Sequence, residues 1–391
     1  MKDRKIYCLN NIAKVGTDQF REGYSLVDSI DDAAGVLVRS ANMKELEFPA
    51  GLRAIARAGA GVNNIPIDRC TENGIVVFNT PGANANSVKE LVICGMLMAA
   101  RDVSGGIEWV KENKTDENIA KTTEKAKKAF SGHELAGKTL GVIGLGAIGV
   151  LVANAAQALG MRVIGYDPYM SVKAAWNLSP EISHADTAEE VYAASDFVTI
   201  HVPANANTKG MIGAESIKQM KDGAAVLNFA RDSLVDETTM AAALQSGKIK
   251  RYVTDFPNTI SVAMERAIVI PHLGASTEEA EDNCAVMAAQ QLQDYLDNGN
   301  IHNSVNYPKI NLGKCETEAR VAILHRNIPN MLSQITTFFG SQGLNIQNLA
   351  NKARGDYAYT LIDISHPMPH DTVEKFKAID GVLRVRRLFE R

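Results

Sequence analysis

The chain has 391 residues, 46% of them apolar and 22% charged, with a formal net charge of −4. That length allows two or three domains with real cores, and the slightly acidic balance argues against wholesale nucleic-acid binding. The longest apolar run, Leu91 to Ala100, is about half of the roughly twenty residues a membrane span needs, so neither a membrane nor a nucleic acid is expected as a partner.

The opening "MKDRKIYCLNNIAK" carries charge without a sustained apolar stretch, and no signal peptide is read there. Next, "KIYCLN", "GVLVRS", "LRAIARAG" and "GIVVFNT" are short strand candidates separated by polar or helical stretches, which predicts a parallel-sheet domain. Cys8, Cys70, Cys94, Cys284 and Cys315 are scattered and never spaced C-x-x-C. This is a reducing-compartment pattern with no metal motif, and the cytoplasm is the default location.

In the middle of the chain, "TLGVIG" reads as a strand, and Ile148, Val152, Ala155 and Leu159 then recur at helical spacing. "MRVIGY" is a second strand, with Asp167 at its end. In such a unit Gly144 permits a tight turn, Gly146 admits a pyrophosphate to the backbone, and Gly149 lets helix and strand pack closely. The amides that open the helix, at Ala147 and Ile148, offer unpaired donors to the phosphates. An acid at Asp167 accepts hydrogen bonds from an adenosine ribose and repels a 2′-phosphate, so NAD is expected rather than NADP.

"FVTIHVP", "AAVLNFA", "RYVTDF" and "AIVIPH" continue the strand pattern as the second half of a doubly wound sheet. "GASTEEAEDNCAVMAAQQLQDYLDNG" is a long helix; Ser276 with Glu279 predicts a capping box, and Gly299 follows its end. After the polar "NYPKINLGKCETE" comes a strand–helix–strand–strand–helix–strand order with a Gly355-Asp356 turn, which predicts a ferredoxin-like βαββαβ unit.

The motifs "GLGAIG", "YDP", "HVP", "NFARDSLVDE" and "PHLGAST", in this order, resemble the D-isomer-specific 2-hydroxyacid dehydrogenases. "VRSAN", "ARAGAGVNN" and the small C-terminal unit are similar to the branch of that family acting on D-3-phosphoglycerate, whose tail is an ACT regulatory domain. The resemblance implies an α/β fold: a Rossmann-type NAD domain (97–275) inserted in a flavodoxin-like substrate domain (1–96 and 276–305), then a linker (306–317) and an ACT domain (318–391). It also implies a homodimer or homotetramer, and oxidation of D-3-phosphoglycerate with NAD as cofactor. Glyoxylate, hydroxypyruvate or erythronate 4-phosphate as substrate, and a non-catalytic NAD sensor, remain alternatives.

By the same resemblance His272 is the acid–base residue. An imidazole, with an ordinary pKa of about 6.5, suits removal of a hydroxyl proton near neutrality. Arg231 matches the arginine that holds the substrate carboxylate with two parallel hydrogen bonds. Cofactor contacts are implied for His201, Val202, Pro203, Phe229, Ala230, Arg231, Asp255, His272 and Gly274. Arg39, Ser40 and Arg57 match positions that meet the substrate, the two arginines its phosphate. The turn Gly61, Val62, Asn63 matches one whose amides meet the substrate carboxylate. In the C-terminal unit His325, Asn327 and Asn345 match residues that hold an L-serine effector, although Asn330 stands where that motif has glycine. A second departure is Ile260, five residues after Asp255, where the family carries the glutamate that supports the histidine. Glu265 precedes the strand leading to His272 and lies at the wrong end of it. The acidic limb of kcat/KM is therefore expected at lower pH than in glutamate-bearing relatives, unless Asp255 substitutes.

Overall fold

In the computed structural model, which describes residues 4–368 and 370–390, the chain divides into two compact units. One comprises Met1–Asn84 with Glu281–Arg391, the other Ala85–Ala280.

The first unit opens with β1 (Arg4–Cys8), β2 (Tyr24–Val27), β3 (Gly35–Val38), β4 (Ala54–Arg57) and β5 (Val76–Phe78). They form a wholly parallel sheet in the order β2-β1-β3-β4-β5, the flavodoxin order. β3 and β5 are buried along their whole length, as expected for parallel strands covered on both faces. β2, an edge strand with Leu26 exposed, gave no signal in the sequence.

The second unit holds β6 (Thr139–Ile143), β7 (Arg162–Tyr166), β8 (Ser183–His184), β9 (Phe197–Ile200), β10 (Ala224–Asn228), β11 (Ile249–Thr254) and β12 (Ala267–Val269). Their order, β12-β11-β10-β9-β6-β7-β8, is again all parallel. The strand order reverses between β6 and β9, and ligands of such sheets bind in the crevice at that switch point. This unit begins earlier than the expected 97: the helix Ala85–Ala100 sends Val88, Val92 and Met96 into the core formed with Leu140, Val142 and Phe229.

The C-terminal segment contains β13 (Ala319–Arg326), β14 (Ile346–Arg354), β15 (Tyr357–Ile364) and β16 (Val382–Glu390), with helices Met331–Ser341 and His370–Lys377. The sheet is antiparallel in the order β14-β15-β13-β16, the ferredoxin-like arrangement. Both of its faces are covered. Val321 and Ile323 pack against Ile335 and Phe339 of the first of these helices. Ala322, Leu324, Tyr359 and Leu361 instead join the core of Ile6, Leu37, Leu292 and Tyr295. The segment is thus part of the first unit and not a body of its own.

Residues 306–317, read as a linker, are packed at their start. Tyr307 and Ile310 are buried, the Tyr307 hydroxyl donates to Thr71 O at 2.8 Å, and Asn306 accepts from Val77 N at 2.9 Å. The long helix Glu278–Asn298 is capped by Thr277, not Ser276: Ala280 N donates to Thr277 Oγ1 at 3.1 Å. Ser276 Oγ turns back to His272 O at 3.5 Å. Gly299 ends the helix in the left-handed region, with φ at 74°.

Candidate active site

Each glycine of the β6 turn has a separate steric reason. Gly144 has φ at 91°, and a Cβ there would meet His201 O at 2.6 Å. A Cβ on Gly149 would stand 1.9 Å from Gly144 O, so helix and turn could not close. At Gly146 nothing lies within 4 Å of that position; the space is open, as a cradle for a pyrophosphate requires. The following helix, Ala147–Ala158, starts without a side-chain cap, leaving its first amides and positive dipole end for an anion. At the end of β7, Asp167 is fixed by both oxygens: Oδ2 accepts from Leu145 N at 2.9 Å and Oδ1 from Tyr169 N at 2.8 Å. Its remaining lone pairs can still accept ribose hydroxyls.

Across the switch point, His201 N donates to Ile143 O at 2.7 Å and Val202 Cγ1 lies over Gly144. His201 Nε2 pairs with Thr199 Oγ1 at 3.0 Å, its Nδ1 is buried without a partner, and burial pulls its pKa down to about 4. The imidazole is therefore neutral at physiological pH. Pro203 is exposed and its carbonyl accepts from Thr208 Oγ1 at 2.6 Å. The Phe229 ring is buried against Gly95 in the core, which leaves its backbone to face a ligand.

At the carboxyl ends of β10 to β12 the structure gathers Arg231, Asp255, His272 and Gly274. Buried Asn228 clamps the Ala230–Arg231 turn: Nδ2 donates to Arg231 O at 2.8 Å and Oδ1 accepts from Ala230 N at 3.2 Å. Arg231 is exposed and spends one Nη1 hydrogen on Ala230 O. Asp255 is 1% exposed; Oδ2 accepts from Gly274 N at 3.1 Å, whereas Oδ1 is buried with no partner. Burial pushes its carboxyl pKa upward, opposed by the Gly274 amide and by the charges of His272 and Arg231. An orphaned buried acceptor is costly unless a donor arrives, and a carboxamide N–H is such a donor.

His272 is exposed and stands edge-on to Phe256, with ring centroids 4.9 Å apart. It has no carboxylate ion-pair partner among the described residues, and its charge is one of those acting on Asp255. Ile260 is exposed on a tight turn closed by Asn258, and Glu265 stands just before β12, the end opposite His272.

In the first unit, Arg39 and Arg57 follow one another across the ends of β3 and β4, with Arg57 Nε donating to Arg39 O at 3.0 Å. Arg39 Nη2 meets Glu281 Oε1 at 2.5 Å. Ser40 Oγ accepts from Asn10 Nδ2 at 3.3 Å. The amides of Gly61, Val62 and Asn63 donate to nothing within the described residues; three such amides on one turn suit a carboxylate.

The expected effector residues do not come together within one chain. His325 is buried and fully occupied: Nδ1 contacts Arg326 O and Nε2 contacts Thr360 Oγ1, each at 2.8 Å. Its desolvation lowers its pKa, as for a core histidine. Asn327 is exposed, with Nδ2 donating to Gly355 O at 3.1 Å. Asn345 precedes β14 at the opposite end of the sheet, since Ile346 pairs with Ile364, which in turn pairs with Ala319. Some seven strand residues separate the two ends, roughly 23 Å.

Residues 93–274 match the NAD-binding domain of the D-isomer specific 2-hydroxyacid dehydrogenases. D-3-phosphoglycerate dehydrogenase 1 of Saccharomyces cerevisiae is 31% identical over 405 residues, covering 93% of this chain and 82% of the yeast protein. The chain belongs to the D-isomer-specific 2-hydroxyacid dehydrogenase family. D-3-phosphoglycerate dehydrogenase of Methanocaldococcus jannaschii is 38% identical over 315 residues, 78% of this family member but only 58% of the archaeal protein's length. An NAD+-bound 3-phosphoglycerate dehydrogenase of Entamoeba histolytica superposes with a TM-score of 0.61 at 29% identity, covering 78% of this chain and 99% of that one.

Several residues that shape this family member's sites carry no motif. Asn79 Nδ2 holds Ala60 O at 2.6 Å and so fixes the amide-bearing turn, while Gln291 Nε2 holds Asn79 O at 3.1 Å. Asn10 accepts from Arg39 N at 2.9 Å. These partners are 19 to 212 positions apart, and no local spacing could have revealed them.

Proposed function

We propose that the chain is an NAD-dependent dehydrogenase oxidising D-3-phosphoglycerate to 3-phosphohydroxypyruvate. The observation that carries this reading is the grouping of Arg231, His272 and the half-satisfied Asp255 at one sheet end. When bound, NAD supplies the hydride acceptor. Gly146 and the helix start behind it hold the pyrophosphate, Asp167 the ribose, and Asp255 Oδ1 a carboxamide donor. Arg231 takes the substrate carboxylate and draws charge toward the C2 oxygen, while neutral His272 accepts the hydroxyl proton as C2 loses its hydride. Arg39 and Arg57 supply cations for the phosphate.

The decisive assay follows nicotinamide absorbance with D-3-phosphoglycerate, erythronate 4-phosphate, and glyoxylate and hydroxypyruvate in the reverse direction, each with NAD or NADP. D-3-phosphoglycerate with NAD should be preferred. Arg231→Ala should raise KM and lower kcat together, with kcat/KM down on the order of a hundredfold or more. Equal turnover of all the acids, or an Arg231→Ala enzyme with wild-type kinetics, would remove this reading.

The C-terminal segment fits an ACT domain by its strand order, and L-serine is the effector we assign to it. Because Asn345 lies far from Asn327 in one chain, such a site requires a second copy, which agrees with a homodimer or homotetramer. Serine titration during sedimentation and turnover tests both; a monomer inhibited by serine contradicts the assignment. All five cysteines are free thiols, which supports work in a reducing compartment, the cytoplasm. No helix among the described residues is long and apolar enough to cross a membrane.

A further inference from the structure

Arg39 and Arg57 stand at the carboxyl ends of β3 and β4, the ligand-binding end of an open parallel sheet, and both charges act on Cys284 beneath. Arg57 lies flat against the turn: a Cβ on Gly59 would come within 2.5 Å of its Nη1. Arg57 is held through Arg39 O, and the carboxylate of Glu281 sits on Arg39. Glu281 is not a chance surface partner. On the helix Glu278–Asn298 it heads the stripe Cys284, Ala285, Ala288 and Leu292, all buried in the core beneath the sheet. Helical spacing therefore puts Glu281 at the edge of that stripe, half-exposed and within reach of Arg39 at the strand end. The fit is close, since Ala285 Cβ stands 2.5 Å from where a Cβ on Gly16 would be.

We infer that Glu281 is a resident competitor for the phosphate of the substrate: it occupies Arg39 in the free chain and is displaced from it on binding. The inference rests on the reading of a phosphorylated substrate given above. Its chemical consequence is selectivity. Exchanging one carboxylate for another monoanion at Arg39 gains little, whereas a phosphate brings a second charge and three oxygens for both arginines. Glu281 lowers the affinity of every anion at Arg39 by the same factor, so at a given concentration a weakly held monoanion fails to displace it while the tighter phosphate dianion still does. Glu281 thus acts as a specificity residue through Arg39 without joining the chemistry.

The test is Glu281→Gln, which keeps the shape and removes the charge, with Glu281→Asp as a second variant that retains charge but withdraws it by one methylene. Inorganic phosphate is titrated calorimetrically into wild type and variants, and KM for D-3-phosphoglycerate is measured in parallel. For a half-exposed pair the expected gain is about two- to fivefold in phosphate affinity for Glu281→Gln. KM should fall in step, and Glu281→Asp should lie between. In an Arg39→Ala background the same change should have no effect. Unchanged or weaker phosphate binding in Glu281→Gln, persistence of the effect without Arg39, or no phosphate binding by any of the proteins overturns the inference. A wild-type chain that fails to oxidise D-3-phosphoglycerate refutes the function proposed above, while the phosphate titration, which needs no turnover, still decides the role of Glu281.

Discussion

Asp255 holds an ionisable group where the fold alone would prefer a neutral one. Burial raises its carboxyl pKa above the ordinary value of about 4. A folded-state pKa above the unfolded one gives stability at low pH that is lost as pH rises through the folded value. Asp255→Asn escapes that loss and can still accept from Gly274 N. The variant's melting temperature should match wild type below about pH 4 and exceed it increasingly toward neutrality, while its NAD affinity falls. Calorimetric scans across pH check the first part and NAD titration the second; a variant less stable than wild type at pH 7 would contradict the assignment. Asn330 shows the same tension without charge. It is the single non-glycine with positive φ among the described residues, at 65°, a backbone that glycine adopts freely. Asparagine tolerates that region better than most residues. Asn330→Ala should cost about 1 kcal/mol in denaturant titration, with Asn330→Gly neutral or slightly stabilising.

The β6 turn allows fold and ligand to be separated within one element. Gly146→Ala puts a methyl group into open space at an ordinary φ of −77°. It should leave unfolding within about 0.5 kcal/mol of wild type and weaken NAD binding at least tenfold. Gly149→Ala, by contrast, drives its Cβ into Gly144 O and should lower stability and binding together. If both variants lost only stability, the turn would be structural and not a phosphate cradle. Elements of this kind were legible because their signals are local. A buried parallel strand is a continuous apolar run, and the turn, helix start and acid follow within thirty residues of Thr139. β2 and β8 were not legible: at four and two residues, edge strands bury too little to leave a pattern. The helix cap was misplaced by one position because Ser276 and Thr277 are both competent caps, and only backbone geometry chooses between them. His325 was read from motif resemblance, whereas cross-strand Thr360, 35 positions away, takes its Nε2.

For the whole molecule, the least legible feature is the burial of the C-terminal sheet against the first unit. Neither hydrophobic periodicity nor composition says which partner covers a two-sided apolar strand such as β13. One arginine, oriented by an ion pair inside the sheet, ties the sheet to the end of the long helix. Arg320 pairs in bidentate fashion with Asp363, at 2.5 and 3.0 Å, and donates as well to Asn298 O and Gly313 O. Both side chains are almost wholly buried. Removing one partner strands the other charge, so Asp363→Ala should destabilise by about 3–5 kcal/mol. Truncation after Glu316 should expose Leu292, Tyr295 and Leu296 and yield an aggregating protein. A soluble, fully folded truncate would show that the sheet is dispensable to this core.

The helix Glu278–Asn298 has 21 residues, a rod of about 30 Å. Its far turns are gripped by the C-terminal sheet through Leu292, Tyr295 and Leu296, and its near turns present Glu281 to Arg39. Under the proposed function a rod held this way would act as a lever on Arg39, the arginine assigned to the substrate phosphate. Arg231 and His272, to which the proposed function gives the chemistry, lie on the other unit. A ligand that tilts the C-terminal sheet should therefore tune how much substrate is needed to half-saturate the enzyme and leave the speed of each turnover alone. Kinetics with the effector at saturating and limiting substrate would show it as a shift in KM at constant kcat.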